Sequence, residues 1–265
     1  MNSAARLAVK WISPVVLGIV VLAAWEFIVA YRQIPPYVLP APSAIGAAFV
    51  DNFSSLIASL WTTLRVTLEA FVLAVIGGVA LAVLFVQNKA VESALYPYAV
   101  VLQVTPVVAI APLILIWVGF DRINLALVII AWIVAFFPIL SNTTLGLKSA
   151  DHNLIDLFKL YGASRWQILM RLQFPTALPN LLGAMKISGG LALIGAVVAE
   201  FVAGSGTATG LAWRIVEAGN RLQIAKMFAA LALLAVLGIA IFSVLTLVEW
   251  ALLHRWHESA LKKQN

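Results

Sequence analysis

Cysteine is absent from the 265 residues. Disulfides, thiolate nucleophiles and cysteine-based zinc sites are therefore excluded. Charge is nearly as scarce, at 11% of residues against 63% hydrophobic, where a soluble domain carries roughly 25% charged residues. So few charges cannot clothe a water-facing surface, and the bilayer is the natural solvent for such a chain. No Gly-x-x-x-x-Gly-Lys-Ser/Thr run occurs, so ATP hydrolysis would need another chain. The three histidines, His152, His254 and His257, form no metal-spaced cluster such as His-Glu-x-x-His. The formal charge of +6 is scattered at the ends of apolar runs, which fits membrane topology better than a stripe for nucleic acid.

What the sequence has in abundance is long apolar runs. Six are long enough to cross the hydrocarbon core, at about 14–31, 61–86, 94–118, 123–147, 180–203 and 226–252. The first could be a signal peptide, since Arg6 and Lys10 precede it, but its apolar stretch is long and no clean small-residue cleavage site follows. With the N-terminus in the cytoplasm, inner segments hold Arg6, Lys10, Lys89, Lys148, Lys159, Arg165, Arg171, Arg255, Lys262 and Lys263, and outer ones Arg32, Arg65, Arg122, Arg214, Arg221 and Lys226. Ten against six favours both termini inside. Several of the nine tryptophans, among them Trp11, Trp61, Trp250 and Trp256, fall at span ends, as in an aromatic belt.

Pro97, Pro106 and Pro112 interrupt the third span, and Pro138 precedes the polar run Ser141–Thr144 in the fourth. Proline removes a backbone donor, and freed backbone groups are tolerated in a membrane only where protein or water satisfies them. Spans three and four either line a polar path or show ordinary proline tolerance. Span position and kinks nominate Arg65, Gln103, Thr105, Trp117, Trp132 and Asn142 as path-lining candidates. Arg65 and Glu69 lie four apart and could instead form a structural pair.

Residues 150–179 are too polar to span yet periodic. Leu154, Leu157, Phe158 and Tyr161 share one helix face. Asn153 is expected to cap that helix, with Asp156 three residues on. Gly162 allows a sharp turn. Ser164 and Gln167 repeat the capping pattern for a second short helix with Ile168, Leu169 and Leu172 on its face, ended by Pro175. An apolar stripe beside Lys159, Arg165 and Arg171 suits a groove on a partner protein or a helix lying flat in the headgroups.

The run Asp156-Leu157-Phe158, Gly162 and Leu172-Gln173-Phe174-Pro175 resembles the cytoplasmic coupling loop of ATP-binding-cassette (ABC) importer permeases. The chain departs from that pattern at Leu157 and Phe158, where alanines are usual. Leu39-Pro40-Ala41-Pro42-Ser43 resembles the Leu-Pro-Ser-Pro-Ser stretch of the nitrate/sulfonate/taurine group. Ala199-Glu200-Phe201 with Gly206 and Gly210-Leu211 resembles the segment after that group's fifth span. The ending Leu253-His254-Arg255-Trp256-His257-Glu258 is similar to members that carry thiamine or pyrimidine precursors.

The resemblance implies an all-α, polytopic bundle of the type I importer permease fold. It would be one domain over 1–265, with a core at about 60–252 and a coupling loop at about 150–176. It also implies a bacterial inner-membrane location and a homodimer within membrane lipid. A separate ATPase dimer would dock on Asn153, Asp156, Leu157, Phe158, Tyr161, Gly162, Ala163, Arg165, Leu172 and Pro175, and a periplasmic solute-binding protein would deliver a small nutrient. No cofactor would be bound by this chain, ATP and Mg sitting on the ATPase.

Glu200 is a candidate for an outer gate or a binding-protein dock, or is simply interfacial. Glu26 and Glu249 lie near span ends, and Lys186 can snorkel to the inner surface. Residues 204–210 superficially suggest a phosphate cradle, but no strand precedes them and a loop is the better reading. Two rivals differ in class. A membrane-embedded enzyme needs clustered catalytic groups at one depth, and the spans offer none. An ATP-independent transporter or channel predicts inverted repeats, which are not seen, and has no use for the amphipathic loop.

Overall fold

In lipid a single segment can satisfy its own backbone polar groups only as a helix, and every long apolar run here is helical. The computed structural model describes residues 3–204 and 209–254. Residues 205–208 of the glycine-rich run lie outside the described residues, as does the tail 255–265 with Arg255, Trp256, His257, Glu258, Lys262 and Lys263.

The helices are α1 (Ser3–Arg32), α2 (Pro42–Asp51), α3 (Phe53–Gln87), α4 (Lys89–Val104), α5 (Val107–Val118), α6 (Ile123–Lys148), α7 (His152–Leu160), α8 (Arg165–Ile168), α9 (Phe174–Ala203), α10 (Leu211–Asn220) and α11 (Ile224–Leu253). Among the described residues five helices are long and apolar enough to span, or six if α4 and α5 count as one.

The expected third span is two helices. α4 and α5 meet at 104° across Thr105 and Pro106. Of the three prolines only Pro106 makes the break; Pro97 and Pro112 lie within helices. The residue before a proline is pushed out of the α region, and Thr105 is extended at φ −69°, ψ 125°. The pair still carries the chain from one end of the bundle to the other. Tyr96 and Ala99 of α4 pack with Phe85, Leu147 and Leu169 at the end nearer α7. Ala111, Ile114 and Leu115 of α5 pack with Ile123, Leu127 and Ala199 at the end nearer α10.

The core is a block of α3, α6 and α9. The apolar window of α6 is 61% buried, against 6% for α1 and 11% for α11, so α6 is central and the other two are peripheral. Small residues let α6 and α9 approach closely. A Cβ on Gly195 would lie 2.7 Å from Ala131 Cα, and one on Gly146 2.9 Å from Ala177 Cα. α10 and α11 form a hairpin beside this block, joined by a turn in which Leu222 takes φ +55°. Lys186 Nζ meets Glu249 Oε2 on α11 at 2.5 Å.

Two further expectations are corrected. Asp151, not Asn153, caps α7, its carboxylate accepting from the Asn153 N–H at 2.8 Å. Nor does Pro175 end a short second helix; it lies in the first turn of α9. Residues Leu169–Gln173 wind as a π-helix, and α8, this segment and α9 form one continuous helix, Arg165–Ala203. The wider turn accommodates a residue with no N–H to give the Arg171 carbonyl. Thr176 Oγ1 donates to the Leu172 carbonyl at 2.7 Å.

The Gly195 contact predicts a paired outcome. Gly195→Ala drives a methyl into α6 and is expected to cost about 1–3 kcal/mol. At Gly190 a Cβ meets nothing within 4 Å, so Gly190→Ala should be neutral or slightly stabilising. Thermal unfolding of both variants in detergent checks this.

Candidate functional site

α7 and the turn after it stand clear of the bundle. The helix ends in a Schellman motif: the Gly162 N–H donates to the Lys159 carbonyl at 2.9 Å and the Ala163 N–H to Phe158 at 3.0 Å. Gly162 takes φ +73°, a conformation costing about 1–2 kcal/mol for a residue with a Cβ. Ser164 then opens α8 with a full capping box, accepting from Gln167 N–H at 3.3 Å while its own N–H donates to Gln167 Oε1 at 2.7 Å. The direction of every bond in the turn is thus fixed locally.

The side chains it presents are apolar but uncovered. Leu154, Leu157, Leu160, Tyr161, Trp166 and Met170 are exposed, Tyr161 by 83%. Phe158 and Ala163 are half-buried and line, with Leu157, Tyr161 and Arg171, a concavity of about 400 Å³ at the turn. Asn153 and Arg165 are exposed at the starts of α7 and α8, whereas Leu172 and Pro175 are half-buried in the continuous helix. Lys159 donates to Asp156 at 2.9 Å, and this bond, then the lysine charge, holds the Asp156 carboxyl below its ordinary value.

The path candidates are dispersed in the single chain. Arg65 is exposed on α3, bonded to Glu69 at 2.7 Å, and lines a pocket of about 170 Å³ with Trp61 and Asn124. Asn142 lies towards the other end of the bundle, in a pocket of about 430 Å³ with Asn180 and Lys186, and donates to the Pro138 carbonyl at 2.9 Å. Gln103 and Thr105 sit together at the α4–α5 elbow, Thr105 Oγ1 donating to Val101 at 2.6 Å. Trp117 is 78% exposed near the end of α5. Trp132 is half-buried against Phe136, ring centroids 4.9 Å apart.

Glu200 is fully buried. Thr63 Oγ1 donates to Glu200 Oε1 at 2.7 Å and accepts from the Leu211 N–H at 2.9 Å. The Ala212 N–H donates to Glu200 Oε2 at 2.9 Å. A helix N-terminus normally finds its cap in its own chain just upstream; α10 has Gly210 there, with no side chain. Glu200 supplies the cap from α9, and a Cβ on Gly210 would collide with its carboxylate. One turn away on α3, buried Ser59 accepts from Arg214 Nε at 2.9 Å. Glu217 is held by Arg214 at 2.7 Å and Arg221 at 3.0 Å. The Arg214 bond, against partial burial, and the charges of Arg214, Arg221 and Lys226 hold its carboxyl below the ordinary value.

Sequence reading did not single out Ser59, Thr63 or Gly210 for this role. Ser59 and Thr63 fall four apart on α3, an available signal, but their partners lie more than 130 residues away. Glu26 plays a similar part for α2, accepting from Ser43 N–H at 3.0 Å and Ser43 Oγ at 2.7 Å.

Gly210→Ala and Thr63→Val should each destabilise the protein by about 1–3 kcal/mol, read as a lowered melting midpoint. For Glu217 the folded carboxyl lies below its ordinary 4.5. Its contribution is therefore whole above about pH 4.5 and lost as pH falls through the folded value. A label at Asn220→Cys should loosen in that acid range, and Glu217→Gln should abolish the transition.

Residues 70–254 match a family model described as binding-protein-dependent transport system inner membrane component. The chain is 36% identical over 250 residues to the riboflavin transport system permease protein RibX of Chloroflexus aurantiacus, covering 93% of this chain and 90% of that one. It is 32% identical over 244 residues to the formylaminopyrimidine transport permease protein ThiX of Halalkalibacterium halodurans, covering 91% and 95%. The fold is similar to that in an inward-facing structure of the MetNI methionine ABC transporter, with TM-score 0.64 and 19% identity over 75% of this chain and 96% of that one.

Proposed function

This chain belongs to the family of binding-protein-dependent transport system inner membrane components, and on that premise we propose that it imports a small nutrient by alternating access, driven by a separate ATPase that docks on the α7 turn. Membership makes it a permease subunit. The docking, the drive and the solute are our reading.

One observation carries it. The α7–Gly162–α8 turn is internally fixed, apolar and uncovered. Leu157, Phe158, Tyr161 and Ala163 surround its concavity, which suits insertion into a groove on another protein. An ATP-independent carrier or channel would have no use for it. On this reading the α7 end faces the cytoplasm, both termini lie there, and the α10 end meets a periplasmic solute-binding protein. A second copy would complete the path, since Gln103, Thr105 and Trp117 lie on an open face of α4–α5 and Arg65 and Asn142 line different pockets.

The solute is of the nitrate, sulfonate or taurine kind, or a thiamine or pyrimidine precursor. The second class is favoured by Arg65, whose charge is already matched by Glu69 at 2.7 Å. A path wall neutralised in that way attracts anions weakly. The names of RibX and ThiX are consistent with a flat nitrogen heterocycle.

Leu157→Asp and Tyr161→Ala should reduce co-purification of the ATPase at least tenfold. The melting midpoint of the permease should stay unchanged, because among the described residues α7 has little contact with any other helix. Transport into vesicles that persists without any ATPase would defeat the proposal.

A further inference from the structure

The α10–α11 hairpin meets the α3–α6–α9 block along a seam that is polar at its ends and apolar between them. At the α10 end three bonds cross it. Glu200 accepts from Ala212, Thr63 accepts from Leu211, and Ser59 accepts from Arg214, each at 2.9 Å. Towards the other end Lys186 meets Glu249 at 2.5 Å. Between them Leu64, Thr67, Phe71, Leu237, Ile241 and Leu245 line an open apolar groove of about 370 Å³, floored where Gly189 lets Leu245 and Ile241 of α11 close onto α9. At the α10 end the hairpin is held against the block by the cluster of polar bonds, together with the apolar contacts of Leu56, Leu211, Ala229 and Ala230 beneath it.

That cluster is attached to the α7 turn. Glu200 lies on the continuous helix Arg165–Ala203, 39 residues long, or about 58 Å at 1.5 Å per residue. One end of this rod begins two residues after Ala163, in the turn read above as the ATPase dock; the other carries the carboxylate that caps α10. A small tilt of the rod about its close contacts with α6 at Gly195 and Gly146 moves both ends. Hydrogen bonds weaken steeply with distance and angle, so a carboxylate capping a separate helix is sensitive to such a tilt in a way that apolar packing is not.

We propose that Glu200 is a positioning residue forming, with Thr63, a releasable latch that closes the α10–α11 hairpin onto the α3–α6–α9 block, and that the α7 turn works it through the Arg165–Ala203 helix. The ATP-driven half of this proposal rests on the docking reading above; the latch itself does not.

The absence of cysteine makes a thiol reporter clean. Ile215→Cys puts a thiol on α10 beneath the latch, at a half-buried position facing the apolar cluster. In the permease alone, Glu200→Ala and Thr63→Val should raise its rate of maleimide labelling at least tenfold, and Thr63→Ser, which keeps the hydroxyl, should leave it at the parental rate. Should Glu200→Ala fail to insert, the Thr63 pair alone decides. Equal rates in Thr63→Val and Thr63→Ser would overturn the latch.

With the ATPase bound, ATP should change the labelling rate of the parental reporter and should not change that of Thr63→Val, while ATPase capture stays the same in both. A parental rate indifferent to ATP despite capture would overturn the transmission. Failure to capture any ATPase would instead strike the docking proposal, leaving the measurement on the permease alone intact.

Discussion

Everything else in the fold depends on how closely α6 can lie against its neighbours. In lipid no hydrophobic force presses one apolar helix against another, because lipid tails are as apolar as leucine. Association rests on packing and on the few polar bonds that cross between helices. Gly195 against Ala131 and Gly146 against Ala177 remove the side chains that would hold α6 and α9 apart, and Gly78 does the same for α3 against Ile139, 2.7 Å from where its Cβ would lie. The result is a three-helix block with α6 at its centre, and every functional feature is placed relative to it.

Polar bonds link the less buried helices to one another and to this block, beside apolar contacts such as those of Leu56, Leu193, Leu211 and Leu237. α2 is capped by Glu26 of α1, α10 by Glu200 of α9, and α11 is paired through Glu249 to Lys186. These groups are the very ones a composition argument treats as expensive anomalies in apolar runs. Their cost is offset because each carboxylate has a donor. These polar bonds are few and directional, so they fix orientations that apolar contact alone would leave loose.

Much of this was legible in the sequence. The six apolar runs, the turn at Gly162 and the capping box at Ser164–Gln167 follow from periodicity and local chemistry, both of which act within a few residues. The break expected in the third span is present as a 104° elbow at Pro106, while Pro97 and Pro112 lie within helices. Pro175, where local chemistry points to a stop, is instead absorbed by a π-turn that runs on into α9. The charge of Glu200 stands out in the sequence, but its partners Thr63, Leu211 and Ala212 are joined by tertiary geometry that no spacing rule encodes. Span position and kinks nominate the path candidates, and one chain does not gather them.

The π-turn at Leu169–Gln173 has a geometric consequence of its own. An α-helix advances about 100° per residue, and a π-turn accommodates one residue more than an α-turn would. The five residues therefore act as a buffer: the wider turn takes up the additional residue, so α8 and the α7 knob keep nearly the bearing that an uninterrupted α-helix would give them. A lineage that lost one residue here would return to plain α-helix with the knob hardly turned, whereas a loss elsewhere in the shaft would swing it roughly 100°. Chain length and compass bearing are thus uncoupled at this one point.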